Sequence, residues 1–556
     1  MIAQFARRLD RGMAVAALLS LLAAVPLLDG RVAGGEAAER SLAALIAFDR
    51  ALREGTLWSR WADETPSGVP LFTAPPLAYA LAEGGVLLGI GYWGALKAAM
   101  IIAVVAAAVA MYLLGRRLYG SVSGVVAAVV FVYLPVYLFA VYERAALSEV
   151  VAFVWLPLIP WSLLQLEPAA RGRPRSRWGA VGAVAVAGGV LGAGMLTDPL
   201  LVALVLPVAA ALVAWRAVEE GAPRRAVGSM LGRAGAALAL AAGIAAVWWL
   251  PLIASLPPSR QPGPAAAAVN SPALFVHPVQ LVAPYRDVRA AGGESAPALG
   301  VQLGIAALGL GGFALVGSPL SIPRRARRTA TVFAAAAAAL AALATPLAAP
   351  LWAALPGAML MEIPWRALEA AALALAALAG AAAAGLEERF GDPLAAVRAV
   401  VPLLVAAVLA SWMLLRLETG PVQPGAGSPR EGAKAAFSSL PAEQGQRSSA
   451  SPQGQLGEPL TSRSTKTGDA QRRLPDSSGA RDEAADHPGL TVQAGGPAAD
   501  HLRLTRVEAR AAGVPPDEGE MSRFDGKPVR PAAGAATPFA AALTAVLLGT
   551  RGQHGS

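Results

Sequence analysis

The stretch at about residues 29–91, between the first two long apolar segments, concentrates side chains that could do acid–base or metal chemistry. A carboxylate can take a proton from an attacking hydroxyl, or hold a hard cation such as Mg²⁺ or Mn²⁺. We consider Asp29, Glu36 and Glu39 as candidate catalytic residues. A solvated surface charge is the alternative for each, because acids are common in exposed loops. The eight acids of the stretch are Asp29, Glu36, Glu39, Asp49, Glu54, Asp63, Glu64 and Glu83.

A second group of ionisable residues lies inside apolar segments, near their ends. Charges at membrane depth are costly and usually serve a function. A proton or ion relay would need such groups strung across the membrane, whereas these favour a polar cavity open to one side. Snorkelling of single helix-end charges to water is the alternative. The residues, all within about two turns of the predicted outer ends of their helices, are Lys97, Glu149, Asp198, Arg366 and Glu369.

The composition indicates which kind of scaffold positions these groups. Hydrophobic residues make up 55% of the 556 residues and charged residues 15%, with a mean hydropathy of +0.52. A helix needs about 20 mostly apolar residues to cross a bilayer. The sequence therefore predicts an all-α, multi-pass membrane protein with about 11–12 transmembrane helices. The eleven predicted spans lie near 12–28, 92–114, 121–141, 149–166, 179–196, 199–215, 234–255, 300–317, 329–348, 366–385 and 398–416, with a twelfth candidate near 532–549.

The placement of arginine predicts the orientation. If the N-terminus is cytoplasmic, every inside loop is basic, as short cytoplasmic loops usually are. In the outer stretch 29–91, by contrast, the eight acids outnumber five arginines. We therefore expect a membrane protein with a cytoplasmic N-terminus and with residues 29–91 outside. Its net charge of +9 reflects topology, so membrane lipids rather than nucleic acid are the expected partners. The inside arginines include Arg116, Arg117, Arg171, Arg173, Arg216, Arg224, Arg225, Arg324 and Arg328.

Cysteine and histidine usage narrows the chemistry. The chain has no cysteine, which excludes disulfides and thiolate catalysis. Its four histidines, His277, His487, His501 and His554, lie outside the predicted spans and at no zinc-binding spacing. No metal ligand is assigned from the sequence, although carboxylates leave a divalent cation, Mg²⁺ or Mn²⁺, as an open possibility.

The composition changes after residue 416, and this predicts three parts. Residues 1–416 form the transmembrane domain. Residues 417–534, rich in Gly, Pro, Ser, Gln and mixed charge, are expected to be an extracytoplasmic region without a packed core. Residues 535–556 hold a last transmembrane or interfacial helix and a tail. Within the transmembrane domain, the spacing of Gly188 and Gly192 favours close helix packing rather than a functional motif.

Several runs, taken together, resemble the bacterial membrane proteins described as 6-pyruvoyl-tetrahydropterin synthase-related. The resemblance covers roughly residues 1–416. In the first outer stretch it includes FDRALREGTLWSRW and SGVPLFTAPPLAYALAE, within residues 48–83. The other runs are YERAALSE at 142–149, LTDP at 196–199, VQLVAPYRD at 279–287, LGVQLG at 299–304 and EIPWRALEAAAL at 362–373. Pterin chemistry itself is set aside, because the soluble pterin synthase uses zinc-binding histidines that this chain lacks.

The resemblance implies a GT-C-like architecture, that of lipid-linked sugar transferases whose large first outer loop carries an acidic catalytic residue. The implied activity is transfer of a sugar from a polyprenyl-phosphate carrier to an acceptor at the extracytoplasmic face. The chain departs from the family at Ser41 and Asp198, where members commonly have histidine. Taken with the helix-end charges and the aromatic residues near them, the substrate-binding candidates are Tyr79, Arg144, Glu149, Asp198, Trp365 and Arg366.

Alternatives remain open for both the residues and the function. Arg144 and Glu149 could form a structural ion pair or a contact to phosphate. Arg366 could bind a lipid phosphate or, with Trp365, anchor the chain at the interface. The alternative functions are a lipid or polysaccharide transporter and a non-catalytic protein of envelope assembly.

Overall fold

The computed structural model describes nine stretches of the chain, and their regular structure is entirely helical. The stretches are residues 10–28, 36–55, 75–167, 177–255, 275–282, 303–316, 324–354, 364–390 and 393–411. Asp29, the predicted regions 417–534 and 535–556, and the twelfth candidate span lie outside these residues.

Fifteen α-helices follow one another in the described residues. Short 3₁₀ turns adjoin several of them, and a π-helical turn, Phe139–Arg144, continues α6. The helices are α1 Arg11–Ala24, α2 Glu36–Arg53, α3 Leu77–Leu87, α4 Tyr92–Tyr119, α5 Ser121–Val132, α6 Pro135–Leu138, α7 Leu147–Leu164, α8 Arg177–Met195, α9 Pro199–Glu219, α10 Arg224–Ser255, α11 Ile305–Val316, α12 Arg324–Leu343, α13 Ala349–Ala354, α14 Ala367–Phe390 and α15 Pro393–Ser411.

The predicted multi-pass architecture is confirmed, and all eleven predicted segments coincide with helices. Within the described residues, eight helices are long and apolar enough to span a membrane, or nine if α5 and α6 form one bent span. That pair bends by 48° where Pro135, which has no N–H to continue a helical hydrogen-bond ladder, begins α6. Helix α11 and the apolar part of α15 are shorter than a full span.

Helix α14 lies at the centre of the packed helices. Every residue of its apolar window, within 364–388, is buried. The helix is built largely from alanine, whose small side chain lets neighbouring helices approach closely. Helices α5, α11, α12 and α15 all pack against it. Residues at the start of α14 are therefore held in place from several sides.

Close packing at Gly188 and Gly192 is confirmed. Both glycines of α8 face α10, where a Cβ at Gly188 would lie 2.7 Å from a methyl carbon of Leu240. A Cβ at Gly192 would lie 2.9 Å from Ile244. Real Cβ atoms do not approach other atoms so closely, so the missing side chains allow this helix contact.

Ion pairs gather at two opposite ends of the described helices. One group joins Arg144, at the end of the π-helical turn, to residues at the starts of α7, α9 and α14. The other joins Asp10 to Arg116, Glu167 to Arg117 and Arg216, and Glu219 to Arg328. Helix ends that the arginine pattern assigns to one side of the membrane thus meet in space. Which side is cytoplasmic stays a prediction.

Candidate functional site

Five charged side chains meet where Arg144 and the starts of α7, α9 and α14 come together. We call Arg144, Glu149, Asp198, Arg366 and Glu369 the arginine–carboxylate network. Arg366 pairs with Asp198 and, at 3.3 Å, with Glu369. Its Nε also lies 3.9 Å from Oε1 of Glu149, which in turn pairs with Arg144. The network thus links three parts of the chain that are far apart in sequence.

Arg144 is oriented by an unusual backbone and by two partners. It is the last residue of the π-helical turn, and Ala145 after it adopts a left-handed conformation with φ of 47°. Backbones of this kind cost free energy and are often found at functional sites. The Nε and Nη2 atoms of Arg144 donate to the two oxygens of Glu149 at 2.9 and 2.7 Å. The ion pair between Arg144 and Glu149, one of the two alternatives for these residues, is therefore present, and a contact to phosphate stays a prediction.

Glu149 is placed by the first turn of α7. A carboxylate there interacts favourably with the positive end of the helix dipole. The N–H of Leu147, the first residue of α7, donates to Oγ of Ser41 at 3.2 Å. Ser41 belongs to α2, so a residue of the first outer stretch satisfies one of the unpaired donors of this helix start. Ser41 therefore joins α2 to the start of α7.

Asp198 has a comparable double role at the start of α9. One of its carboxylate oxygens accepts from the N–H of Leu201 at 3.1 Å and caps the helix. The other oxygen accepts from Nη2 of Arg366. The neighbouring Thr197 accepts a hydrogen bond from the indole of Trp155 at 2.9 Å. These contacts fix the direction of the Asp198 carboxylate.

Arg366 and Glu369 leave the network incompletely satisfied. The Glu369 side chain is fully buried and that of Arg366 is 13% exposed. Among the described residues, no hydrogen-bond partner meets Oε1 of Glu369 or Nε of Arg366. With all groups ionised, three carboxylates face two guanidinium groups. Unsatisfied buried polar atoms are costly, so the network can accept a further polar ligand or water.

Trp365 lies inside the protein rather than in a lipid-facing belt. It is 1% exposed and packs edge-on against Phe139, with ring centroids 5.7 Å apart. The guanidinium carbon of Arg144 lies 5.1 Å from the centroid of the Trp365 ring, a cation–π contact. The alternative in which Trp365 anchors the chain at the membrane interface is therefore wrong, because its ring is buried in the protein against Phe139 and Arg144.

Tyr79, on α3, lies beside the network. It is buried, and this burial raises the pKa of its hydroxyl to about 12. The neighbouring Ser148 and the charges of Glu149 and Arg40 act on this hydroxyl. The structure thus brings together all six substrate-binding candidates, while the ligand they bind stays a prediction.

The candidate catalytic acids belong to the first outer stretch, part of which lies over the network. Asp29 falls outside the described residues, and Glu36 is the first residue of α2. Glu39 is half-buried on the same helix. The next two residues, Arg40 and Ser41, act on Glu149 and on the start of α7. Helix α2 therefore approaches the network closely, and the catalytic role of the acids stays a prediction.

The described part of the chain contains no defined site for a divalent metal. No group of three or more His, Asp or Glu side chains there has the geometry to hold one. The carboxylates of the network are instead turned toward Arg144 and Arg366. A role for Mg²⁺ or Mn²⁺ stays a prediction.

Two contributors were not among the candidates from sequence. Glu369 is one of the helix-end charges, and its spacing of three residues from Arg366 is the sequence signal for their contact. Ser41 carries no such signal. Its cap on α7 joins distant segments, and nothing in the local sequence indicates such a contact.

The chain matches no protein-family model and no curated protein. Among solved structures it is similar to ArnT from Cupriavidus metallidurans bound to undecaprenyl phosphate, with 13% identity, a TM-score of 0.44 and coverage of 73% of this chain and 75% of that one. The arabinofuranosyltransferase AftD from Mycobacteria is 20% identical, with a TM-score of 0.41 and coverage of 72% and 26%. The oligosaccharyltransferase of Archaeoglobus fulgidus in its apo form is 13% identical, with a TM-score of 0.45 and coverage of 81% and 61%. The chain spans about a quarter of AftD and about three fifths of the oligosaccharyltransferase.

Proposed function

We propose that the protein is a membrane glycosyltransferase that moves a sugar from a polyprenyl-phosphate carrier to an acceptor hydroxyl at the extracytoplasmic face. The observation that carries this proposal is the arginine–carboxylate network at one end of the membrane helices. Buried charge at such a position is costly and is a functional-site hypothesis by default. The network also lies against α2, the helix that carries two of the candidate acids.

Arg144 is the side chain best suited to meet the phosphate of the carrier. It is 21% exposed, against 13% for Arg366. Its pair with Glu149 uses the Nε and Nη2 edge, so a phosphate would approach from the Nη1 side. Glu149 and Trp365 hold the guanidinium plane, which reduces the entropy lost when it binds an anion. The paired N–H donors of a guanidinium group match the spacing of phosphate oxygens well.

The position of the network also suits a lipid-linked donor. Arg144, Asp198 and Arg366 lie at helix ends, where the head groups of a bilayer meet its hydrocarbon. A polyprenyl chain would lie among the apolar helices while its phosphate stays at this level. Leu81, Leu87 and Leu88, on or just after α3, are exposed and add apolar surface near the same end.

The proposed step exchanges one bond to the anomeric carbon of the sugar for another. The acceptor oxygen forms a bond to that carbon, and the bond from the carbon to the phosphate oxygen breaks. The acceptor proton passes to a carboxylate of the first outer stretch, Asp29, Glu36 or Glu39. The polyprenyl phosphate leaves with the added negative charge, which the Arg144 guanidinium stabilises.

The direct test incubates the purified protein with labelled polyprenyl-phosphate sugars, with and without a divalent cation. We expect transfer by the wild type and a loss of about 10²-fold or more in the variant that lacks the base, among Asp29→Asn, Glu36→Gln and Glu39→Gln. Glu54→Gln is the matched control, because Glu54 is exposed just beyond the end of α2 and pairs with Arg50. Transfer that is unchanged in all three acid variants would rule out the mechanism.

Arg144→Lys tests the phosphate contact separately. Lysine keeps the charge but loses the fork, so we expect weaker transfer with little change in the fold. Binding of polyprenyl phosphate alone to the wild type and to this variant measures the contact without chemistry. Equal binding by the two proteins would remove Arg144 from the proposed site.

A further inference from the structure

A second pair of buried carboxyl groups lies apart from the arginine–carboxylate network. Asp49 is on α2 and Glu83 is on α3, and the two are 4% and 2% exposed. Tyr92, the first residue of α4, completes the contact between the three helices. The role proposed above makes no use of this pair.

Asp49 has strong partners of its own. Its Oδ1 accepts from Nε of Arg53 at 2.6 Å, and its Oδ2 accepts from the hydroxyl of Tyr92 at 2.6 Å. Both donors favour the ionised form of a carboxyl group. Asp49 is therefore held as a carboxylate with one hydrogen bond on each oxygen.

Glu83 has the opposite surroundings. Among the described residues no donor reaches either of its buried oxygens. Helices α2 and α3 nevertheless pack against each other, and Asp49 is the carboxyl group that acts on Glu83 across this contact. Two ionised carboxylates cannot hydrogen-bond to each other, because both only accept. A proton on the pair supplies the missing donor and lets Glu83 donate to Asp49.

The charges around Asp49 and Glu83 favour the binding of one proton by the pair. Asp49 and Arg53 act on Glu83, while Arg50 and Glu54 pair with each other at the surface of α2. Lys97 lies on α4 and Glu149 on α7, the other two helices that pack against α3. Two carboxylates and one guanidinium leave one negative charge, which a single proton neutralises. Burial and the charge of Asp49 raise the pKa of Glu83 to about 7, and the pair titrates as a unit.

We propose that Asp49 and Glu83 form a proton-binding site that fastens α2 to α3, and that loss of the shared proton loosens α2. Without it, two negative charges face each other in a buried contact where one of them has no donor. The contact between α2 and α3 is then weakened. The start of α4 is also affected by loss of the proton, because Tyr92 hydrogen-bonds to Asp49.

Loosening of α2 would also affect the arginine–carboxylate network, because α2 contacts it. Ser41 on this helix caps α7, and Arg40 acts on Glu149. A loosened α2 would therefore uncover the network as the outer pH rises. The proton site itself does not depend on glycosyl transfer, so its test uses readouts other than activity.

Hydrogen exchange of the full-length protein in detergent provides the first test. Protection factors, which correct for the intrinsic effect of pH, are measured for the amides of α2 and α8 between about pH 6 and pH 8. We expect protection of α2 to fall by about tenfold across this range, while that of α8, a helix without carboxyl groups, stays constant. Glu83→Gln should keep α2 protected at the higher pH, because its amide donates to Asp49 without a proton. Glu54→Gln is the control and should behave as the wild type.

Infrared difference spectroscopy detects the proton directly, even if a variant is less stable. The wild type should lose the band of a buried protonated carboxyl group on going from pH 6 to pH 8, and subtracting the spectrum of Glu83→Gln should separate the Glu83 component from that of the buried Glu369. In Asp49→Asn the midpoint should move to lower pH, because the neighbouring negative charge is gone. Protection of α2 that is independent of pH in the wild type would overturn the proposal. A carboxyl band that titrates unchanged in Glu83→Gln would do the same.

Discussion

Arg366 donates a hydrogen bond to Asp198, a residue 168 positions earlier in the chain. Asp198 caps α9 and Arg366 immediately precedes α14, so the pair ties two helix starts together. The same guanidinium reaches Glu369 and Glu149. One side chain therefore balances three carboxylates that burial would otherwise penalise.

Replacing Arg366 should destabilise the protein strongly. Arg366→Ala leaves Asp198 and Glu369 buried without their counter-charge, which typically costs about 3–5 kcal/mol. We expect a clear fall in the melting temperature of the detergent-purified protein. Arg50→Ala breaks an exposed ion pair and should cost less than about 1 kcal/mol. Equal melting temperatures for the two variants would contradict a central role for Arg366.

Removing the Ser41 hydroxyl should weaken the start of α7. In Ser41→Ala the N–H of Leu147 loses its acceptor, and a lost helix cap typically costs about 1 kcal/mol. Ser229→Ala is the comparison, since Ser229 is an exposed serine that bonds only within its own helix. Hydrogen exchange of the first amides of α7 should rise in Ser41→Ala alone. Unchanged exchange there would show that the contact does not hold the helix.

Two neighbouring glycines of α8 should respond oppositely to alanine. Gly188→Ala forces a Cβ against Leu240 and should destabilise by about 1–3 kcal/mol, as overpacking usually does. At Gly189 nothing lies within 4 Å of the added Cβ, so alanine should be neutral or slightly stabilising. Thermal unfolding of both variants measures the difference. A loss of stability at Gly189 matching that at Gly188 would argue against this packing.

The orientation can be measured directly because the chain contains no cysteine. A membrane-impermeant maleimide applied to intact cells should label Glu54→Cys, beyond the end of α2. Arg225→Cys, at the exposed start of α10, should react only after the membrane is opened. The reverse labelling would invert the predicted topology and move the arginine–carboxylate network to the cytoplasmic side.

The stability of the protein should pass through a maximum with pH because of Asp49 and Glu83. Burial opposes ionisation of Asp49, but Tyr92 and Arg53 outweigh it and hold its pKa below 3.8, so its contribution disappears as the pH falls below that value. The pKa of Glu83 rises from 4.5 to about 7 on folding, so stability declines as the pH rises across that interval. Melting temperatures measured across both ranges should lose the alkaline decline in Glu83→Gln and the acid decline in Asp49→Asn. Persistence of either decline in its variant would assign it to other groups.

The sequence by itself determined the helical class, the positions of the membrane segments and the helix ends at which charges occur. These properties are local, because a run of about 20 apolar residues forms a membrane helix whatever its neighbours are. The close helix contact at Gly188 was predictable because the spacing of Gly188 and Gly192 is also a local feature of the sequence. The bend between α5 and α6 was not predicted, because 121–141 was expected to be one span.

Only the tertiary structure decided which of these charges meet. Asp198 and Arg366 are both helix-end charges in the sequence, but their pairing depends on how α9 and α14 pack. In the sequence, Glu83 is one of eight acids in the first outer stretch. In the structure, the packing of α2 against α3 buries it near Asp49, without a hydrogen-bond donor among the described residues. Coulombic and hydrogen-bond energies depend on distance and burial, which residue type and spacing along the chain do not contain.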